Sequence, residues 1–301
     1  MTRQIEYEVW DVFTEIPFRG NQLAVIPDAH GLSGAEMQTI AREFNYSESI
    51  FLLPAEAGGT IRARIFTPAS EIPFAGHPTV GATASLANAG YAFGNPIPTE
   101  MIIEEGIGPI ACHAALSNGA WHAGFTSHAP FEKGAIITAK EIAACLGLRS
   151  NAIRTTRHEP QAASKGLPFV FAEMASRGAL AKATPVRAAF LKSQRNYEAH
   201  SRFFSVAAYY RRSENQIDMR VFVPLEGIDE DPATGSACAA LAGFLADIAQ
   251  ASVAIEITQG ADMGRESHIF AEANPPTAAG SEVSVSGAAV LVMSGMLHLP
   301  G

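Results

Sequence analysis

Arg64-Ile65-Phe66-Thr67-Pro68 returns 156 residues later as Arg220-Val221-Phe222-Val223-Pro224. Behind the first copy stands Gly76-His77-Pro78-Thr79-Val80-Gly81-Ala82. Behind the second stands Glu230-Asp231-Pro232-Ala233-Thr234-Gly235-Ser236. Each copy reads as a strand, a loop, a titratable residue, Pro-x-x-Gly and then an apolar helix of small residues. The chain therefore reads as one half-molecule used twice. If the copies face each other, His77 and Asp231 meet across a cleft, each at a helix start.

Working outward, residues 6–13 alternate polar and apolar and predict a strand. A turn over 17–22, punctuated by Gly20-Asn21, leads to a strand at 23–26. Ser33 with Glu36 three residues on is a capping box, and predicts a helix over 33–44. Strands follow at 49–54 and 61–67. Residues 78–89 are rich in Ala and other small residues and carry no charge, which predicts a helix buried on all sides. Strands at 101–105, 108–116 and 120–125 complete the first half, and the boundary is expected within 129–133.

The second half opens with a helix over 140–146, stopped by Gly147. A strand at 169–173, a helix at 186–198 and strands at 203–211 and 217–223 follow. The second apolar helix, 234–248, is interrupted only by Asp247. Strands at 253–259, 267–273 and 282–293 close a sheet. Ser and Gly break 283–299, which reads as a strand pair rather than a membrane span. A fully apolar helix needs a surface on all sides, and a curled sheet supplies one. The expected class is α+β: two pseudo-symmetric domains, 1–130 and 131–301, each a curled, mostly antiparallel sheet around a central apolar helix. The last strand or tail can cross back to the first domain.

The 301 residues suffice for two domains with sizeable cores. A net charge of −9 argues against a nucleic-acid partner, and Arg211-Arg212 is too short to form a basic patch. Cys112, Cys145 and Cys238 are odd in number and far apart, without a CxxC pair. Neither a disulfide framework nor a thiolate zinc site is expected, which fits a reducing cytoplasm. Residues 1–8 are charged and lack the apolar core of a signal peptide. His113, His122 and His128 lie near one another in sequence, but their spacing matches no helical ligand pair. Gly106-Ile107-Gly108 lacks the strand, turn and helix of a dinucleotide fingerprint. No metal and no cofactor are expected.

The first turn of a helix presents unpaired amides and a partial positive charge, so it binds a carboxylate or phosphate. Pro78 and Pro232 are placed as first helical residues. Gly81 and Gly235 would let a ligand approach the backbone, and Ser236 would add a hydroxyl. Read singly, His77 is more often structural and Asp231 more often a cap; their matched positions favour a catalytic pair.

Five blocks together resemble the phenazine-biosynthesis isomerase family, the PhzF-like proteins. They are Phe18-Arg19-Gly20-Asn21, Ser47-Glu48, Phe74-Ala75-Gly76-His77-Pro78-Thr79, Asp231-Pro232-Ala233-Thr234-Gly235-Ser236-Ala237 and Gln259-Gly260-Ala261-Asp262-Met263-Gly264-Arg265. The resemblance implies the diaminopimelate epimerase fold, work without cofactor or metal, and a homodimer. It makes Glu48 the acid/base residue, with a pKa expected to be raised by burial. It places His77 and Asp231 in the site as assistants in proton transfer or ligand binding. It assigns Gly76 and Ser236, with Pro78, Thr79 and Gly235 beside them, to binding of a small carboxylate substrate. Three positions depart from the family pattern: Gln22 where proline is usual, Cys238, and Glu266 where proline is frequent.

Two rival readings stand beside the isomerase. One is a two-base amino-acid racemase or epimerase of the same fold; the facing cysteine pair such enzymes use is missing here, since Cys238 has no counterpart on the first helix, which leaves His77 and Asp231 to serve as the two bases. The other is a non-catalytic small-molecule-binding protein on this scaffold.

Overall fold

The alternating and apolar stretches become strands and helices close to where the pattern puts them. The computed structural model describes residues 3–197, 204–277 and 282–299. It is a mixed α/β fold, rich in strands with few helices. The chain divides into two units: residues up to Thr126 together with those from Ser286 onward, and Ser127–Val285.

The strands are β1 (Arg3–Val12), β2 (Asn21–Ile26), β3 (Glu48–Leu53), β4 (Ile61–Phe66), β5 (Glu71–Ile72), β6 (Tyr91–Ala92), β7 (Asn95–Pro96), β8 (Glu100–Glu105), β9 (Gly108–Ser117) and β10 (Ala120–Ser127). They continue as β11 (Glu132–Ile136), β12 (Gln161–Ser164), β13 (Pro168–Glu173), β14 (Val206–Arg211), β15 (Gln216–Phe222), β16 (Glu230–Asp231), β17 (Val253–Gln259), β18 (Ser267–Ala273) and β19 (Val283–Leu299). The helices are α1 (Gly34–Phe44), α2 (Gly76–Ala89), α3 (Ala139–Cys145), α4 (Arg177–Ala181), α5 (Arg187–Tyr197) and α6 (Gly235–Ala249). Residue 198, the expected end of α5, and residue 203, the expected start of β14, lie outside the described residues.

In the first unit, β1 pairs antiparallel with β2, β2 parallel with β3, β3 antiparallel with β4, β4 parallel with β8, and β8 antiparallel with β9. The second unit runs through the same succession from β12 to β13, β14, β15, β17 and β18. Each antiparallel return after the echoed segment is a short strand: β5 folds back on β4, and β16 on β15.

The capping box forms as read. Ser33 Oγ accepts from the Glu36 amide, and Glu36 Oε2 accepts from the Ser33 amide at 2.7 Å. Helix α2 is buried from Gly76 through Leu86 and packs on β1, β2, β3 and β9. Helix α6 is buried from Gly235 through Ala246 and packs on β12, β13, β17 and β18. Residues small enough to let a sheet approach on every side explain both. A Cβ on Gly81 would lie 2.4 Å from Leu23 Cδ2 and 2.8 Å from Val12 Cγ2. Gly81 thus serves the packing of α2 on β1 and β2, and the ligand approach expected for it is corrected.

Other expectations change. Residues 283–299 form one strand of 17 residues, not a pair, and β1 runs antiparallel to its outer part. β11 and β12, short and weakly patterned, and the five-residue α4 give no clear signal in the sequence. Among the described residues no helix is long and apolar enough to cross a membrane.

Candidate active site

Parallel pairing of β2 and β3 brings the N-terminal ends of both strands together, with Leu23 opposite Glu48. Asn21 and Glu48 are the first residues of their strands, and His77 is the second residue of α2. His77 Nδ1 lies 3.3 Å from Glu48 Oε2 and 3.4 Å from Asn21 Nδ2. Ser47 Oγ reaches Asn21 Oδ1 at 3.5 Å. The sequence-predicted pair Glu48 and His77 therefore meets within one unit. Asn21 and Ser47 join it; both stood inside the quoted motif blocks, and neither had been singled out as a site residue.

His77 is 3% exposed. Its burial lowers the imidazole pKa to about 3, and a hydrogen bond with the Gln22 backbone offsets only part of that shift. Burial keeps the ring neutral, so the approach of His77 Nδ1 to Glu48 Oε2 is a close polar contact rather than an ion pair or a formed hydrogen bond. A neutral ring bears one proton. Nδ1 offers either that proton or a single lone pair, and Asn21 Nδ2 at 3.4 Å competes with Glu48 for the lone pair.

The two buried helices also differ from α1, α3 and α4 at their starts. Ser33, Thr138 and Ser176 cap α1, α3 and α4 with side-chain oxygens. Helix α2 begins after Ala75, and α6 after Thr234, and neither start receives a side-chain cap. Their first-turn amides keep their capacity for an anion.

Pro78 is the third residue of α2, and Pro232 precedes α6 altogether, which corrects their placement as first helical residues. Asp231 is the last residue of β16, outside α6, and accepts the Thr234 hydroxyl at 2.6 Å. Gln259 holds this turn: its Nε2 donates to the Asp231 carbonyl at 2.8 Å, and its Oε1 accepts from the Thr234 amide at 3.1 Å. Ser267 Oγ donates to the Pro232 carbonyl. Gly260, at φ 73°, has no room for a Cβ, which would lie 2.6 Å from that same carbonyl. The block 259–265 thus shapes the approach to α6. Gly235 and Ser236 are its first two residues.

Thr79 departs from its expected role. Its side chain is fully buried and its hydroxyl is engaged with Ala75 and Glu105, so it is turned away from any ligand at the helix start. Cys238 is fully buried and its thiol is held well above the ordinary range by burial, with Asp231 adding to the shift. Cys112 is pushed up to about 12, also by burial first. These thiols are poor thiolate bases. His122 and His128 lie against different carboxylates, Glu15 and Glu282.

Known proteins match nearly the whole length of the chain. The model of the phenazine biosynthesis-like protein family matches residues 10–295. An uncharacterised isomerase of Mesorhizobium japonicum is 37% identical, covering 97% of this chain and 98% of its own. The trans-2,3-dihydro-3-hydroxyanthranilate isomerase of Pseudomonas fluorescens is 32% identical, over 97% and 99%. The solved structure of a predicted epimerase from Pseudomonas aeruginosa superposes with a TM-score of 0.80 at 30% identity, over 97% and 99%. The match over nearly all its length and the named isomerases among its relatives show that the chain belongs to the phenazine biosynthesis-like protein family and is an isomerase.

Proposed function

We propose that this isomerase moves a proton on a small carboxylate-bearing substrate by general acid/base catalysis, without cofactor or metal. Glu48 takes a proton from a carbon beside an unsaturated system, the electron pair delocalises into that system, and Glu48 returns the proton at another carbon. The substrate keeps its composition. His77, neutral, donates to Glu48 as carboxylate and accepts from it as acid. Each uncapped helix start, that of α2 with Gly76 and that of α6 with Gly235 and Ser236, has the amides to bind a substrate anion and stabilise developing negative charge. Asp231 positions a substrate hydrogen-bond donor. The two units act as repeats of one half, and the protein works as a homodimer in the cytoplasm.

The observation that carries this reading is the 3.3 Å contact of His77 Nδ1 with Glu48 Oε2 at the head of a buried, uncapped helix. A conjugated amino acid of the kind named for the Pseudomonas fluorescens relative is the first substrate to try. The test is a screen of small unsaturated and amino carboxylic acids in deuterated water. The reading expects proton relocation along an unsaturated acid. Deuterium entering only at the α-carbon of saturated amino acids, with loss of their handedness, would replace it by a two-base epimerase.

A further inference from the structure

Glu105 ends β8 with its carboxyl buried against α2. Two contacts meet at the Thr79 hydroxyl: Ala75 O at 2.8 Å and Glu105 Oε1 at 2.7 Å. A hydroxyl has one proton, and a backbone carbonyl only accepts. If Thr79 donates to a Glu105 carboxylate, the Ala75 carbonyl faces an oxygen at 2.8 Å with no proton between. If Thr79 donates to Ala75, Glu105 supplies the second proton, and both short contacts are hydrogen bonds. Glu105 Oε2 is buried with no hydrogen-bond partner, which a carbonyl oxygen tolerates better than half of a carboxylate.

The surroundings agree. From α2, Glu105 meets Thr79, and the Thr83 hydroxyl beyond donates to the Thr79 carbonyl. From β9 it meets Cys112, whose thiol is uncharged at neutral pH. Glu104 spends its carboxylate on the amides of Glu56, Ala57 and Gly59. Arg62 and Arg64, which line the same cleft, are paired with Glu56 and Glu71. No cation compensates a Glu105 charge among the described residues, and burial raises its pKa to about 8.

We propose that Glu105 is a proton-carrying positioning residue whose carboxylic acid donates to Thr79, and through Thr79 fixes the Ala75 carbonyl and the aim of His77 at Glu48. Ala75 is the uncapped residue that opens α2, and His77 is two residues on. The Ala75 carbonyl also accepts the Thr79 amide at 3.3 Å, and the relay from Glu105 adds a second contact to it from the β8 side. The inference rests on the reading of Glu48 and His77 as the proton-transfer pair, but its test uses resting protein without substrate. Failure of that reading would show in turnover by Glu48→Gln, and not here.

Infrared difference spectroscopy of the wild type from about pH 6 to 9 should show a protonated carboxylic acid that ionises near pH 8. Glu105→Gln, which still donates to Thr79, should lose that band. The His77 imidazole nitrogen signals should shift across the same pH range in the wild type and stay fixed in Glu105→Gln. At pH 7, Thr79→Ser should keep them and Thr79→Val displace them. Should Glu105→Gln fail to fold, the wild-type infrared titration and the Thr79 pair still decide. A carboxylate already ionised at pH 6, or the same His77 transition in Glu105→Gln, would overturn the proposal.

Discussion

His77 Nδ1 stands 3.3 Å from Glu48 Oε2, with the imidazole buried and uncharged. A charged ring would hold Glu48 as a fixed carboxylate. A neutral one lets the carboxyl gain and lose a proton within the same contact. The chemistry assigned to this chain depends on that difference.

The neutrality of His77 can be observed directly. Nitrogen NMR of labelled protein should show His77 uncharged at pH 5, where an ordinary histidine is mostly protonated. A His77 signal titrating near its ordinary value of 6.5 would contradict the burial argument.

Stability should depend on pH through the two buried groups. His77 has a lowered folded pKa, about 3 against 6.5, so its contribution is complete above 6.5 and is lost as pH falls toward 3. Glu105 has a raised folded pKa, about 8 against 4.5, so its contribution is complete below 4.5 and is lost as pH rises toward 8. From 4.5 to 6.5 the two slopes oppose and cancel. Above 6.5 the Glu105 slope alone remains, and stability should fall by roughly 1.4 kcal/mol per pH unit up to about 8. Urea unfolding should show this fall in the wild type and a flatter profile in Glu105→Gln.

Gly81→Ala should destabilise the protein by about 1–3 kcal/mol, because its methyl overlaps Leu23 and Val12 in a packed core. Denaturant midpoints check this. Unchanged stability with weakened ligand binding would return Gly81 to the ligand site.

The echoed arginines should differ in weight. Arg220 forks onto Glu230 and also donates to the carbonyls of Leu180 and Ala183, with its side chain 11% exposed. Arg64 forks onto Glu71 in a pair that is more exposed. Arg220→Ala should cost about 3–5 kcal/mol, and Arg64→Ala roughly 1 kcal/mol or less. Equal losses in urea unfolding would contradict the burial argument.

Those arginines also explain why the repeat was legible. Arg64 lies over the Phe66 ring and Arg220 over the Phe222 ring, and each clamps the acidic residue of the short return strand, Glu71 or Glu230. The Arg-x-Phe spacing puts both side chains on one face of a strand, so the device leaves a mark in sequence. The buried helices were legible because they are apolar all round. The helix starts were read less well. The apolar pattern put α6 within one residue of its start, but proline preference put first helical residues at Pro78 and Pro232, whereas a β-bridge at Asp231 and the Gln259 clamp hold Pro232 outside a helix that begins at Gly235. Those constraints come from strands distant in sequence. The neutral state of His77 and the Thr79–Glu105 contact were not legible either, since the first depends on residues of β2 and β3 closing on the ring and the second on β8 reaching α2.

The most direct test of the account is Glu48→Gln, on an acid identified by the exchange screen in deuterated water. Proton relocation should fall by at least about a hundredfold, while the dissociation constant of the substrate changes little. Exchange within about tenfold of the wild type, or binding lost in step with turnover, would contradict the assignment of Glu48 as the group that carries the proton.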